Sequence, residues 1–330
     1  MSPIPGVPEV VLVACDSFKG TFTAAQVTEA IGRGLREGGR PVDLCPVADG
    51  GEGTLEALAG ALGARRLSVA AHDPLGRPIQ AALAIAGPVA IVETAAASGL
   101  GLVSERERDP IAASTAGTGE LIAAAIDAGA RVVYLGVGGS ATTDGGAGAI
   151  AAIRRRGGLR GARLVVLCDV RTPFEHAARV FAPQKGASQD QVRRLTARLH
   201  ALARRLPADP RGRAMTGAAG GLSGGLWAAF GAELVAGAPF VLDSVGFDAR
   251  MRRARAVVTG EGKLDQQSLA GKVVSEVATR ARQSGVPCHA IVGRRELDAM
   301  GARLLDLDRI LQATTLPAMV SAGRRLAELL

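Results

Sequence analysis

Short apolar runs alternate with polar, glycine-bearing loops and with stretches of helical period along most of this chain. Residues 10–14 (VVLVA) are apolar throughout, as in a strand buried on both faces. The loop Cys15-Asp16-Ser17-Phe18-Lys19-Gly20 follows. Val27, Ala30, Ile31, Gly34 and Leu35 then recur at helical spacing behind Thr23 and Gln26, which fit a capping box, and Gly38-Gly39 ends the helix. The order repeats with a strand at 42–48, the loop Asp49-Gly50-Gly51-Glu52-Gly53 and a helix carrying Leu55, Leu58, Ala59 and Leu62. It returns near the end with a strand at 256–259, the loop Gly260-Glu261-Gly262-Lys263-Leu264-Asp265, a helix around 273–283 and a strand at 288–292. Such short connections predict parallel strands, whose carboxyl-end loops are where open α/β sheets bind ligands.

The middle of the chain predicts helices at 118–128 and 190–206, strands at 131–137 and 163–168, and a glycine loop at 138–148 (GGSATTDGGAG). A PQKGAS loop occupies 183–188, and 217–239 is rich in Gly and Ala around Trp227, read as core. One α/β domain is therefore expected from the two ends of the chain, with a second inserted between them.

Composition narrows the function. The 330 residues are 48% hydrophobic and 21% charged, enough for a sizeable core. Aromatics are only 3%, which argues against a stacking platform for nucleic acid. No stretch reads as a membrane span, and the opening residues MSPIPGVPEVVLVACDSFKG lack a basic leader. Cys15, Cys45, Cys168 and Cys288 stand apart beside apolar runs, as buried thiols in a reducing, cytoplasmic setting. The net charge of +8 invites a nucleic-acid reading. In DQVRRLTARLHALARRL, however, Val192, Leu195, Leu199, Leu202 and Leu206 form one stripe and the Arg residues mostly another, as on a solvated helix face.

Familiar nucleotide and metalloprotease signatures are missing: GxxxxGK[ST], GxGxxG after a strand, HRD, DFG and HExxH. The four His residues suggest no triad. What remains is a set of loops that combine Gly, a carboxylate and Lys, the groups phosphoryl transfer needs. Main-chain N–H groups and Lys meet phosphate oxygens, and carboxylates hold Mg²⁺ or take a hydroxyl proton. Only four of the 39 basic residues are Lys, namely Lys19, Lys185, Lys263 and Lys272, and all lie in or beside these loops. Arg replaces Lys freely on a solvated face but not where a compact ammonium is required.

Single residues are more ambiguous. Asp73 in HDPLGRP reads first as a turn former. Glu93, after the apolar run 88–92, stands open between helix cap and substrate ligand, and Ser98 and Ser140 between caps and site residues. Asp169, ending a strand, is a site or cap residue.

In order, these loops resemble the bacterial glycerate kinase family of the type without a P-loop. The matching stretches are ACDSFKGTFTA at 14–24, PVADGGEGT at 46–54, DPLGRP at 73–78, VETAAASGL at 92–100 and STAGTGELI at 114–122. GVGGSATTDGGAG at 136–148, CDV at 168–170, FAPQKGA at 181–187, GAAGGLSGGL at 217–226 and VTGEGKLDQQSLAGK at 258–272 complete them. The resemblance implies transfer of the γ-phosphoryl of ATP to D-glycerate with Mg²⁺, with 2-phosphoglycerate favoured over 3-phosphoglycerate as product. It implies a two-domain α/β fold: a discontinuous Rossmann-like three-layer parallel-sheet domain (1–68 plus 254–330), an inserted second α/β domain (69–253), and an active site in the cleft between them. A cytoplasmic monomer or homodimer without nucleic-acid or membrane partners is expected.

On this reading Asp16, Lys19, Asp144 and Lys185 are catalytic, with Asp16 or Asp144 accepting the glycerate hydroxyl proton. Ser17, Gly50, Gly51, Glu93, Gly138, Gly139, Ser140, Thr142, Asp169, Gln184, Gly260, Gly262, Lys263 and Lys272 bind substrate or phosphate. Asp49, Glu52, Asp265 and Glu261 are candidates for Mg²⁺. The chain also departs from the family pattern. The segment between Gly148 and Cys168 is short, Arg171-Thr172-Pro173-Phe174 replaces an Asn-Pro-Leu, Thr143 replaces an Asn, Arg255 stands where Asp is common, and the end after Gly293 is trimmed. A kinase of a related small hydroxy acid, or a nucleotide-binding descendant with little activity, therefore stays open.

Overall fold

The structure is a computed structural model and describes residues 9–269 and 272–330. The opening residues read for a leader, and Ala270 and Gly271 of the GEGKLDQQSLAGK stretch, lie outside the described residues. The chain forms two compact units, residues 1–49 with 238–330 and residues 50–237. In chain order the discontinuous unit begins with β1 (Val11–Cys15), α1 (Ala24–Glu37) and β2 (Val42–Leu44). The inserted unit contributes α2 (Thr54–Leu62), β3 (Arg65–His72), β4 (Pro78–Ala86), β5 (Val89–Glu93), α3 (Ala116–Asp127), β6 (Val132–Gly136), α4 (Ala147–Arg155), β7 (Arg163–Cys168), α5 (Gln189–Ala203), α6 (Ala218–Phe230) and β8 (Glu233–Ala236). The chain then returns with β9 (Ala256–Gly260), α7 (Val273–Gln283), β10 (Cys288–Val292), β11 (Arg309–Gln312) and α8 (Leu316–Ala327).

In the discontinuous unit the strands run in the order β11-β10-β9-β1-β2, all parallel, with Val11 opposite Val42 on one side and Ala256 on the other. β1, β9 and β10 are buried along their whole length, which is why they read as unbroken apolar runs. Successive side chains point to opposite faces. Val11, Val13 and Cys15 pack with Val27, Ile31 and Leu35 of α1 and Met319 and Leu326 of α8. Ala290 and Val292 pack on the other face with Val274 of α7, giving three layers. The predicted Thr23–Gln26 capping box is present, with Gln26 N donating to Thr23 Oγ1 at 3.2 Å.

The inserted unit has a six-stranded sheet, β3-β4-β5-β6-β7-β8. β5 to β8 are parallel, but β3, β4 and β5 form an antiparallel meander that the strand–helix reading did not foresee. The signal was local. HDPLGRP joins two runs of β-formers, and Asp73 Oδ1 accepts from Leu75 N (2.8 Å) and Arg77 N (2.9 Å), making the hairpin turn. The short segment after Gly148 still completes a β6-α4-β7 crossover. The sequence placed the domain limits at 68/69 and 253/254, whereas the compact units divide after Asp49 and Gly237. Helix α2 packs on β4 and β5, and residues 238–253 are tied into the discontinuous unit by Arg280 to Asp243 and Asp248, and by Arg250 to Asp43. Among the described residues no helix is long and apolar enough to cross a membrane. Along α5, Leu195 and Leu199 are buried while Arg193, Arg194 and Arg198 are exposed, as expected of a solvated face.

Helices α1 and α8 cross where Gly34 lies against α8. A Cβ on Gly34 would run into the Val320 carbonyl, and one on Gly323 would meet the Ile31 carbonyl at 2.5 Å. Main chain cannot step aside as a side chain can. Gly34→Ala is therefore expected to lower stability by about 1–3 kcal/mol in urea denaturation, against the small gain that Ala normally brings inside a helix. A neutral or stabilising result would refute this packing.

Candidate active site

The carboxyl ends of β1, β9, β10 and β11 in the discontinuous unit surround a cavity of about 490 Å³, within the range of small-molecule and cofactor sites. Asp16, Ser17, Lys19, Asp49, Glu261, Gly262, Lys263, Asp265 and Lys272 all line it. Loops as far apart in sequence as 16–19 and 261–272 are thus brought together, because parallel strands deliver their ends to one edge.

Its floor is acidic and buried. Asp16 is 3% and Asp49 1% exposed. Burial and then the Asp49 charge hold the Asp16 carboxyl well above the usual carboxylate range, partly offset by Lys19 and by Ser17 N, which donates to Asp16 Oδ1 at 2.7 Å. Glu261 is pushed up to about 7, chiefly by burial, with Asp265 and Asp49 adding to the rise against the Ser268 hydroxyl and Lys272. Glu261 Oε1 and Ser17 Oγ are buried without a hydrogen-bond partner, a costly condition that a bound polar group would relieve. Lys19 Nζ lies 3.0 Å from Asp49 Oδ2, its side chain half exposed. Lys263 pairs with Glu296 at 2.8 Å and with Asp265 at 3.3 Å, and Lys272 is the N-cap residue of α7.

The acidic floor bears on Mg²⁺. Among the described residues no three carboxylate, His or Cys groups converge as a ready metal cage. Mg²⁺ usually keeps several waters and takes one or two carboxylates beside substrate phosphates. One or two of Asp49, Asp265 and Glu261, whose Oε1 is buried without a partner, suit that mode. Glu52 belongs to the inserted unit, where it is exposed and its charge acts on Glu93.

The inserted unit holds the other predicted group. Lys185 is 3% exposed, and its Nζ donates to Ser140 Oγ at 2.9 Å and Thr142 O at 2.6 Å. Burial pulls its ammonium down to about 7, against the pull of Asp144 and Asp169. Gly138, Gly139, Ser140, Asp169, Gln184 and Lys185 line a second, smaller cavity of about 120 Å³.

Several expected site residues have another job. Asp144 accepts from Thr115 N (3.0 Å), Thr115 Oγ1 (2.8 Å), Gly146 N (3.0 Å) and Gly148 N (3.1 Å), so its oxygens are committed to holding the starts of α3 and α4. That occupation speaks against Asp144 as the proton acceptor. Glu93 Oε1 accepts from Leu55 N at 2.7 Å at the start of α2. The cap reading thus describes it better than the ligand reading, and burial pushes its carboxyl up to about 7. Gly50 and Gly51 pack main chain on main chain: Gly50 O accepts from Val137 N at 2.9 Å, a Cβ on Gly50 would meet Leu167 O at 2.8 Å, and one on Gly138 would strike Gly51 Cα. A Cβ on Gly260 would likewise strike Ile291 O. The Thr142 hydroxyl is buried and unpartnered while its carbonyl serves Lys185.

Sequence reasoning missed Arg294 and Thr314, which line the larger cavity, and Arg108, whose Nε is buried without a partner. Arg294 and Thr314 follow β10 and β11, so the carboxyl-end rule could have found them. Nothing local marked Arg108.

Comparison with known proteins identifies the family. The sequence model of the Glycerate kinase family matches residues 11–157 and 154–328. A glycerate kinase of Bacillus subtilis is 38% identical over 328 residues, covering 88% of this chain and 86% of the relative. A glycerate 2-kinase of Escherichia coli is 36% identical, covering 86% and 84%. A crystal structure provisionally named glycerate kinase 2, from Salmonella typhimurium LT2, superposes with a TM-score of 0.80 at 34% identity, over 98% of each chain. With the family's loops in order and both units matched, this chain belongs to the glycerate kinase family of phosphotransferases, which act on an alcohol group.

Proposed function

We propose that this chain transfers the γ-phosphoryl group of ATP to D-glycerate, giving ADP and 2-phosphoglycerate, in the cytoplasm. The observation that carries the reading is the distribution of its lysines. In a chain whose other basic residues are all Arg, Lys19, Lys263 and Lys272 line one cavity beside buried carboxylates, and Lys185 is buried in the inserted unit. The nucleotide's phosphates are assigned to the larger cavity, whose lysines and Arg294 neutralise them. Mg²⁺ would be held there by one or two of Asp49, Asp265 and Glu261 and would supply further charge neutralisation.

In the transfer the acceptor hydroxyl oxygen bonds to the γ-phosphorus as the bond to the β–γ bridging oxygen breaks. The hydroxyl proton passes to a carboxylate. Asp16 is proposed for that role, because burial beside Asp49 favours its protonated form. Asp144, with its oxygens already engaged, serves as a fixed hub. The protein's contribution is positioning and charge. A second reading, a kinase of another small hydroxy acid, is favoured only by the replaced stretch Arg171-Thr172-Pro173-Phe174.

Three measurements test these roles. Coupled ADP release with D-glycerate, tartronate and glycolate should give the highest kcat/KM for D-glycerate, with 2-phosphoglycerate identified by NMR. A preference for tartronate or glycolate would establish the second reading, and no release with any acid would end both. Lys185→Arg keeps the charge but not the compact ammonium, and should lose about tenfold or more in kcat/KM; full activity would refute the lysine argument. Asp144→Asn, which turns an amide toward N–H donors, should cost about 1–3 kcal/mol of stability in urea denaturation. A stable but inactive Asp144→Asn protein would return Asp144 to the chemistry.

A further inference from the structure

The smaller cavity of the inserted unit lies against the glycine loop after β6 and the loop after β7. Its volume, about 120 Å³, is well below the roughly 300–1,000 Å³ of drug-sized sites, so it cannot take a nucleotide. It is many times the roughly 10–15 Å³ a single water needs, so a small acid fits.

Its wall is unusually equipped for an anion of that size. The Lys185 ammonium is buried there, and its two hydrogen bonds go to a neutral hydroxyl and a neutral carbonyl rather than to a carboxylate. The nearby charges of Asp144 and Asp169 offset only part of the cost of burying it. Arg108 joins Lys185 and Leu100 in lining a small adjoining space, and the buried Arg108 Nε has no hydrogen-bond acceptor. The loop carrying Ser140 is pinned, because Gly139 O accepts from Leu100 N at 2.8 Å and Ala141 N donates to Ser98 O at 2.9 Å. The wall also carries one acidic side chain, Asp169.

We propose that this cavity is the acceptor site, and that it takes a small 2-hydroxycarboxylate with the carboxylate on Lys185 and Arg108. The proposal rests on the reading of the chain as a kinase of such an acid, and adds which unit recognises it and through which groups. Arg108 enters as a binding residue for the acceptor. Gln184, on the rim, completes the polar wall.

A consequence concerns protons. The charged groups around Lys185 are Asp144 of the glycine loop, Asp169 after β7, and Arg108 and Asp109 beside the adjoining space. Burial brings the ammonium down to about 7 in the free protein, so above that pH the amine is largely neutral. An arriving carboxylate favours the charged form and raises this value. Binding above pH 7 therefore takes up a proton, and affinity falls as pH rises through 7 to 9, by up to about tenfold per unit. Below about pH 6 Lys185 is already charged and no proton is taken up by it.

The test uses the full chain. D-Glycerate is titrated calorimetrically without nucleotide at pH 8.5, in buffers of differing ionisation enthalpy, and steady-state kinetics are measured on Arg108→Ala and Gln184→Ala. Expected are direct binding, proton uptake that is lost in Lys185→Met, and a KM for D-glycerate raised about tenfold or more by Arg108→Ala, with the KM for ATP within about twofold of the parent. Gln184→Ala should move the same constant in the same direction. A change in the KM for ATP alone, or no change in either constant, would overturn the assignment, as would binding without proton uptake. Should D-glycerate bind in this manner yet no hydroxy acid be phosphorylated, the proposed reaction would fail while the site stands.

Discussion

Charge is held out of water at both cavities, and that constraint organises the structure around it. Ionised groups lose several kcal/mol of hydration when buried and stay buried only where the surroundings compensate them or where a ligand will. Asp16, Asp49 and Glu261 share one buried edge of the discontinuous unit, and two of them sit far from their ordinary pKa values. Lys185 answers them in the inserted unit with the opposite shift. Such perturbed groups in cavities mark functional sites, and a reaction that gathers phosphate charge and a cation in one place is a natural use for them.

Holding such groups still requires a stiff scaffold, and parallel sheets provide it. β1 and β9 are wholly buried and aligned from Val11 opposite Ala256 to Cys15 opposite Gly260, so Asp16 and Glu261 emerge side by side. In the inserted unit Asp144 ties the start of α3 to the start of α4. Glu93 does the same for the start of α2. These carboxylates hold helix starts in place, and the glycines let one loop lie on another.

Much of this was legible in the chain. Apolar runs gave the buried strands, helical period gave α1, α3 and α7, and Thr23 with Gln26 marked the start of α1. The scarcity of Lys singled out three of the residues that line the larger cavity. Other readings meet competing demands in the structure, for a physical reason. Loop glycines serve phosphate binding and close main-chain packing equally well, and only the neighbours of Gly50, Gly138 and Gly260 show that packing claims them. A carboxylate in a glycine loop reads as a catalyst until its hydrogen-bond partners are known, as with Asp144. The β3–β4 hairpin was passed over because its strands carry no loop chemistry.

The sequence by itself determined the element types, the parallel connectivity of the discontinuous unit, and the family, since these follow from local period, turn chemistry and motif order. Tertiary structure alone decided which carboxylates accept from main-chain donors, where the units divide, and that Arg108 lines one small space with Lys185 although 77 residues separate them in the chain. Hydrogen-bond satisfaction and desolvation are properties of the space around a group. A chain read in one dimension carries the group but not its neighbours.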